Sequence, residues 1–231
     1  DVGSVWEALD NETEASVVVL MLEDDAPEDL AESFRATYEA LKDVDAPNIV
    51  KVLSVGVTDE GAPYAAVERL EGRSVIARLD DAEADITIRD CIQWVMATLE
   101  GLVVAHEAGI VHGDIEPGNV LLADVDGEEV PKIVGWGLNR AFVRAGLHEP
   151  EVDDAEALLR SLAFTSPEQS EGKRAPVVSD DVYGAAAMLY DALTGAFLSL
   201  STIPGFPAGV GATEYNSLSA DGDFTFWRTN I

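Results

Sequence analysis

Gly109-Ile-Val-His-Gly-Asp-Ile-Glu-Pro-Gly-Asn-Val-Leu-Leu122 is the stretch around which this 231-residue chain can be read. An apolar, strand-like start runs into a polar turn, a second turn follows at Pro117-Gly118, and an apolar strand begins after Asn119. Asp114 and Asn119 stand five residues apart inside the loop 112–119. In phosphoryl transfer that spacing sets a carboxylate beside the attacking hydroxyl and an amide beside a metal ion. The same two residue types also brace turns through their own backbone. The residues alone leave both readings open.

The flanks are periodic. Upstream, Thr87 to Gly109 reads as a long helix, apolar at Ile92, Val95, Met96, Leu99, Leu102, Val103 and Ala105. Downstream, Asn119 to Ala123 and Pro131 to Val134 read as two strands around an acidic turn, with Gly135-Trp136-Gly137 after them. Thr165-Ser-Pro-Glu-Gln169 follows an acidic, loop-like segment. Ser179-Asp-Asp-Val-Tyr-Gly184 then opens an apolar helix that should end at Leu193-Thr-Gly195.

Nearer the start, Gly3-Ser-Val-Trp-Glu-Ala8 precedes the β-branched run Ser16 to Leu22, a buried strand by composition. Asp25-Ala-Pro-Glu28 predicts a helix start, with Asp25 as N-cap and Pro27 in the first turn. Leu30, Phe34, Tyr38 and Leu41 give that helix one apolar face. Ala46-Pro-Asn-Ile-Val50 leads into a strand to Val57, Asp59-Glu-Gly61 is a hairpin turn, and Tyr64 to Leu70 is the next strand. From Ser199 the pattern breaks into Pro- and Gly-rich chain, and Ser217 to Arg228 reads as two strands around Asp221-Gly222.

Composition excludes several classes. There are 44 acidic and 14 basic residues, for a formal charge of −30. The acids are scattered through periodic segments, so the surface is acidic rather than tailed with a disordered acidic block. Such a chain should bind neither nucleic acid nor anionic lipid. Self-repulsion opposes compaction in dilute salt, and at about 1 M salt a Debye length of roughly 3 Å screens it. The composition resembles that of haloarchaeal-type acidic proteins adapted to a salty cytosol. The single cysteine, Cys91, lies in a helical pattern and forms no internal disulfide, which fits a reducing cytoplasm. The most apolar run, Val182 to Leu200, carries Asp191 and is amphipathic, so no membrane span or signal peptide is expected. Asp rather than Met at position 1 predicts that further sequence, and with it a fused domain, precedes this segment. Another domain, β-rich, could follow it.

Taken in order, these motifs resemble a Hanks-type Ser/Thr protein kinase domain over residues 3 to 198. His112-Gly-Asp-Ile-Glu-Pro-Gly-Asn119 resembles the catalytic loop H-R-D-x-x-x-x-N, and Ser16 to Leu22 resembles the strand V-A-I-K. Pro47-Asn-Ile-Val50 resembles H-P-N-I-V, Ser166-Pro-Glu-Gln169 resembles A-P-E, and Asp181-Val-Tyr-Gly184 has its counterpart after it. The resemblance implies an α+β, two-lobed fold. A small β-rich lobe would take residues 1–70 and a mainly helical lobe 71–198, truncated or altered at its end. Residues 199–231 would form a tail or linker.

The resemblance also implies roles. Asp114 would be the base and Asn119 a metal ligand, with ATP and Mg as cofactors in an active enzyme. Gly3 and Val5 would end the glycine-rich loop, Leu20 would line the ATP pocket and Val67 would be the gatekeeper. Glu168 and Asp181 would be structural, Asp181 by bonding the loop backbone. The phosphate-handling positions are replaced. The strand Lys is Leu20, its helix Glu partner is Thr37, the loop Arg is Gly113, the loop Lys is Glu116, and the chelating Asp of D-F-G is Gly135. No Lys or Arg occurs before Arg35, while eleven acids do. At an effective dielectric of about 20 and 4 Å, each charge lost or reversed costs several kcal/mol against a polyphosphate. The expectation is a pseudokinase that binds protein partners and needs no cofactor. One alternative is a divergent Ser/Thr kinase using Asp114. The other, from His112-Gly-Asp, is a small-molecule phosphotransferase of aminoglycoside-kinase type.

Overall fold

The computed structural model describes residues 3–11, 13–81, 83–137, 162–172 and 174–194. The tail beyond 194 and the acidic segment 138–161, with His148 and Ser161, lie outside the described residues, and with them the expectations about a β-rich continuation and an altered C-terminal end. The expected two-lobed α+β architecture is present.

The first lobe holds β1 (Gly3–Leu9), β2 (Ser16–Leu22), α1 (Glu28–Lys42), β3 (Val52–Val57) and β4 (Pro63–Glu68). The strands pair antiparallel in the order β1-β2-β4-β3. The register sets Leu20 between Val5 and Ala65, and Val67 between Val18 and Val52. Helix α1 packs on β3 and β4 and buries Leu30, Phe34, Tyr38 and Leu41, the four residues its periodicity selects. Its start differs from the expectation. The N-cap is Pro27, without a side-chain cap, rather than Asp25. Proline at φ −50° is preset for helix entry. Its carbonyl takes the Leu30 and Ala31 N–H groups at 2.9 and 3.0 Å.

The second lobe begins with β5 (Gly72–Ser74), α2 (Val75–Leu79) and α3 (Ile88–Glu107). A 3₁₀ turn (Pro117–Asn119) then leads into β6 (Val120–Val125) and β7 (Glu128–Ile133), and α4 (Pro167–Ser170) and α5 (Val178–Thr194) follow. Strands β5, β6 and β7 form a second antiparallel sheet. A capping box between Thr87 and Asp90 starts α3. Its core face is Cys91, Trp94, Val95, Thr98, Leu102 and Ala105. Ile92, Met96 and Val103 are exposed instead. The helix is apolar around most of its circumference, so period alone does not choose its buried side. Ile110 and Val111 form no strand. The Ile110 N–H returns to the Ala105 carbonyl at 2.9 Å and prolongs the helix end. No described helix is long and apolar enough to cross a membrane.

The lobes are stitched where the segment before β3 meets β7. Val50 N–H donates to the Ile133 carbonyl at 3.0 Å, and Ile133 N–H to the Asn48 carbonyl at 2.8 Å. Asn48 Nδ2 donates to Pro131 at 2.9 Å, and Lys132 Nζ lies 2.6 Å from Glu68 Oε1.

Candidate functional site

The loop between α3 and β6 is held from below by α5. Asp181 is fully buried there. Its Oδ2 accepts His112 N–H at 2.9 Å and its Oδ1 accepts Gly113 N–H at 2.6 Å. His106 Nε2, from α3, sits 2.7 Å from Oδ2. Three groups from two elements thus converge on one carboxylate, which fixes the backbone entering Asp114. The helix can come this close because residue 184 is glycine: a Cβ there would strike the Ile115 carbonyl oxygen.

His112 is packed, not free. Its Nδ1 accepts the Asp114 N–H at 3.2 Å, so the proton sits on Nε2, which donates to the Val134 carbonyl at 2.9 Å. Trp136 meets it edge to face, with centroids 4.6 Å apart, and is itself fully buried. Asp114 and Asn119 are brought together. Asn119 Nδ2 donates to both the Asp114 carbonyl and Asp114 Oδ2, each at 2.8 Å. Val134 N–H donates back to the Asn119 carbonyl at 2.9 Å. Gly135 follows with φ +76°, and a Cβ there would lie 2.7 Å from Asn119 Oδ1. Glu116 is half-buried in the same loop and its carbonyl takes the Asn119 N–H at 3.0 Å.

A second buried acid holds the next corner. Asp180 accepts Ser166 Oγ–H at 2.6 Å, Val177 N–H at 2.8 Å and both Arg174 terminal nitrogens at 2.6 and 2.9 Å. The Arg174 guanidinium holds the Asp180 carboxyl far below the usual carboxylate range, with the Ser166 and Val177 bonds helping. Ser166 also caps α4, and Gln169 from that helix donates its side-chain amide to the Gly113 carbonyl. Position 113 is therefore gripped on both sides. Glu168 is exposed, and the buried acid of this corner is Asp180.

The protein kinase domain family matches residues 1–203. This chain belongs to the protein kinase family. Among its relatives, the probable serine/threonine-protein kinase PknB of Bifidobacterium longum is 28% identical over 200 residues, which cover 81% of this chain and 28% of that protein. The serine/threonine-protein kinase PknK of Mycobacterium tuberculosis is 31% identical over 194 residues, 84% of this chain and 16% of that protein. The chain thus spans under a third of the length of these relatives. The crystal structure of the Mycobacterium tuberculosis PknI kinase domain superposes with a TM-score of 0.65 at 19% identity, covering 88% of this chain and 74% of that one. That likeness is one of fold.

The remaining residues singled out in the sequence can be located in the same fold. Leu20 is buried in β2 and Val67 in β4. Gly3 and Val5 lie in β1, where Val5 is exposed. Thr37 is half-buried on α1, and its hydroxyl donates to the Ser33 carbonyl at 2.9 Å. It faces the other end of the Gly135-Trp136-Gly137 turn: a Cβ on Gly137 would sit 3.6 Å from Thr37 Oγ1. Mg²⁺, the metal of the family's reaction, takes one or two carboxylates along with phosphate oxygens. Here the Asn119 amide faces Gly135, and Asp114 is the carboxylate beside it.

Several contributors carried no local signal. His106 is 75 residues from Asp181, and Gln169 is 56 from Gly113. Gln169 stood inside the quoted motif Ser166-Pro-Glu-Gln169, but nothing in that spelling points its amide at position 113.

Proposed function

We propose that this domain is a pseudokinase, a kinase fold that works by binding protein partners and not by efficient phosphoryl transfer. The observation that carries the reading is the turn at Gly135. A carboxylate is missing where the family chelates metal, and the backbone there lies against the Asn119 side chain. The other replacements act in the same direction. Leu20 supplies no ammonium to the phosphates, and Glu116 adds a negative charge to the loop where the family has a positive one. The framework is kept while the charges that stabilise a transferring phosphoryl group are gone.

A second reading, a divergent Ser/Thr kinase, is favoured by one contact. Asp114 and Asn119 remain joined at 2.8 Å in a loop anchored by Asp181. One titration separates the readings. The protein in high KCl is mixed with ATP and Mg²⁺ or Mn²⁺, and melting temperature and phosphate transfer are followed. No shift and no transfer supports the pseudokinase. Transfer to protein that is lost in Asp114→Asn establishes the kinase. Transfer to a small hydroxylated compound alone points to a small-molecule phosphotransferase.

A further inference from the structure

Asp180, Ser166, Gln169, Gly113 and Asp181 close a hydrogen-bonded ring. Asp180 Oδ1 accepts the Ser166 hydroxyl at 2.6 Å, and Ser166 Oγ in turn accepts the Gln169 N–H at 3.1 Å. The Gln169 side-chain amide donates to the Gly113 carbonyl, and the Gly113 N–H donates to Asp181 Oδ1 at 2.6 Å. Asp180 and Asp181 are consecutive residues in the first turn of α5, so the ring starts and ends on one helix. Arg174 clamps it from outside, with both terminal nitrogens on the Asp180 carboxylate. Helix α4 is four residues long, a single turn that cannot hold its own shape. Where the Gln169 amide stands is therefore set by the Ser166 cap, and the cap is set by Asp180.

The ring matters because of what it grips. Gly113 has φ +76° and no side chain, so its own sequence does not choose the orientation of the peptide that follows it. That peptide joins the Gly113 carbonyl to the Asp114 N–H. Its N–H goes to His112 Nδ1 at 3.2 Å and its oxygen to Gln169. Of these two bonds, only the second comes from outside the loop. A flip of the plane would turn the carbonyl away from α4 and change ψ of Gly113 and φ of Asp114 together, the change that separates type I from type II turns. It would also swing the Asp114 carboxylate relative to Asn119 Nδ2, which meets it at 2.8 Å. We propose that Gln169 is the positioning residue of the loop 112–119: its amide, aimed by the corner between α4 and α5, blocks this flip and fixes where the Asp114 carboxylate stands. Asp180 then acts on Asp114 without touching it, and whatever moves α4 is felt in the loop. This inference stands whether or not the loop transfers phosphate.

The test uses the full chain, isotope-labelled for NMR. Two signals are read: the carbonyl ¹³C shift of Gly113, which moves upfield when its hydrogen bond is lost, and hydrogen exchange at the Asp114 amide. Gln169→Met keeps the length and removes the donor. It should move the carbonyl upfield and speed Asp114 exchange about tenfold or more, while the Leu122 and Ala123 amides of β6 stay as in the parent. Gln169→Asn, a milder change whose amide falls one methylene short, should do the same. Gln169→Lys, which restores a donor on a long stem, should return both signals towards the parent. Asp180→Asn should move the Gly113 carbonyl in the same direction, and adding it to Gln169→Met should change little further, because both cut one ring. Asp114 exchange within about twofold of the parent in Gln169→Met and Gln169→Asn overturns the proposal. So does Gln169→Lys behaving like Gln169→Met, which would mean that bulk and not the donor matters. So does a rise in exchange shared equally by the loop and β6, the mark of a general loss of stability. A Gly113 carbonyl unmoved by Asp180→Asn overturns the ring.

Discussion

Tyr38 carries the only described buried side-chain polar atom without a hydrogen-bond partner, its hydroxyl, at the centre of the packing between α1 and the first sheet. Burial pushes the phenol well above its ordinary pKa. Tyr38→Phe removes a desolvated donor and keeps the ring against Phe34, so it should stabilise by about 1–2 kcal/mol in urea unfolding at pH 8. The folded-state pKa is raised, so the stability tied to the neutral phenol is present below about pH 10 and is lost above it. Phe at 38 should therefore flatten the alkaline fall in stability, and an unchanged fall would place its cause elsewhere. Gly135 makes the opposite case. Its φ of +76° suits glycine, and a side chain there meets Asn119. Gly135→Asp should cost about 1–2 kcal/mol. It should also fail to restore a Mg²⁺-dependent ATP shift in a melting assay, because Leu20 and Glu116 are unchanged. A restored shift would show that the missing carboxylate alone disables the site.

The corner between α4 and α5 depends on one carboxylate with four short bonds, and its pH response follows. The Asp180 pKa is lowered in the fold, chiefly by Arg174. Its contribution to stability is present above the ordinary carboxylate value of about 3.9 and is lost as pH falls below it. Asp180→Asn should lower stability by about 2–3 kcal/mol at pH 7, leaving Arg174, Ser166 and the Val177 N–H poorly matched. The gap to the parent should narrow towards pH 2, as followed by circular dichroism. A constant gap would mean that the charge is not what holds this corner. At this scale the limits of the sequence are also clear. Strand β2 was legible from its unbroken β-branched, apolar run, and the α1 face and the α5 span from a local helical pattern. The α3 face was not, since an apolar residue sits on nearly every side and the tertiary partner α5 selects the buried one. The start of α1 went to Pro27 because a preset φ replaces a side-chain cap. In the site, the five-residue spacing of Asp114 and Asn119 was readable. The reach of His106 to Asp181 was not, because it joins segments 75 residues apart, and neither the Asp114–Asn119 bond nor the φ of Gly135 follows from the local spelling.

Over the whole molecule, two opposing features meet. The lobes are tied by backbone bonds between residues 48–50 and 133 and by the Lys132–Glu68 pair, while a formal charge of −30 pushes the surface apart. The α1 region shows the imbalance most plainly: Asp24, Asp25, Glu28, Asp29, Glu32, Glu39 and Asp43 are all exposed, against Arg35 and Lys42. Repulsion of this kind acts over a Debye length, about 10 Å at 0.1 M salt and roughly 3 Å at 1 M, so it fades as salt is added. Raising KCl from about 0.1 M to about 2 M should lift the melting temperature by at least about 5 °C. Salt also strengthens apolar burial in general, so the slope alone does not identify charge as the cause. Replacing Asp24, Asp25, Glu28, Glu32 and Asp43 by Asn or Gln separates the two. If repulsion dominates, this variant melts higher than the parent in low salt and the two converge at high salt. If both rise in parallel from the same starting point, the acidic surface is not what limits stability, and the ties between the lobes must be examined instead by Lys132→Met.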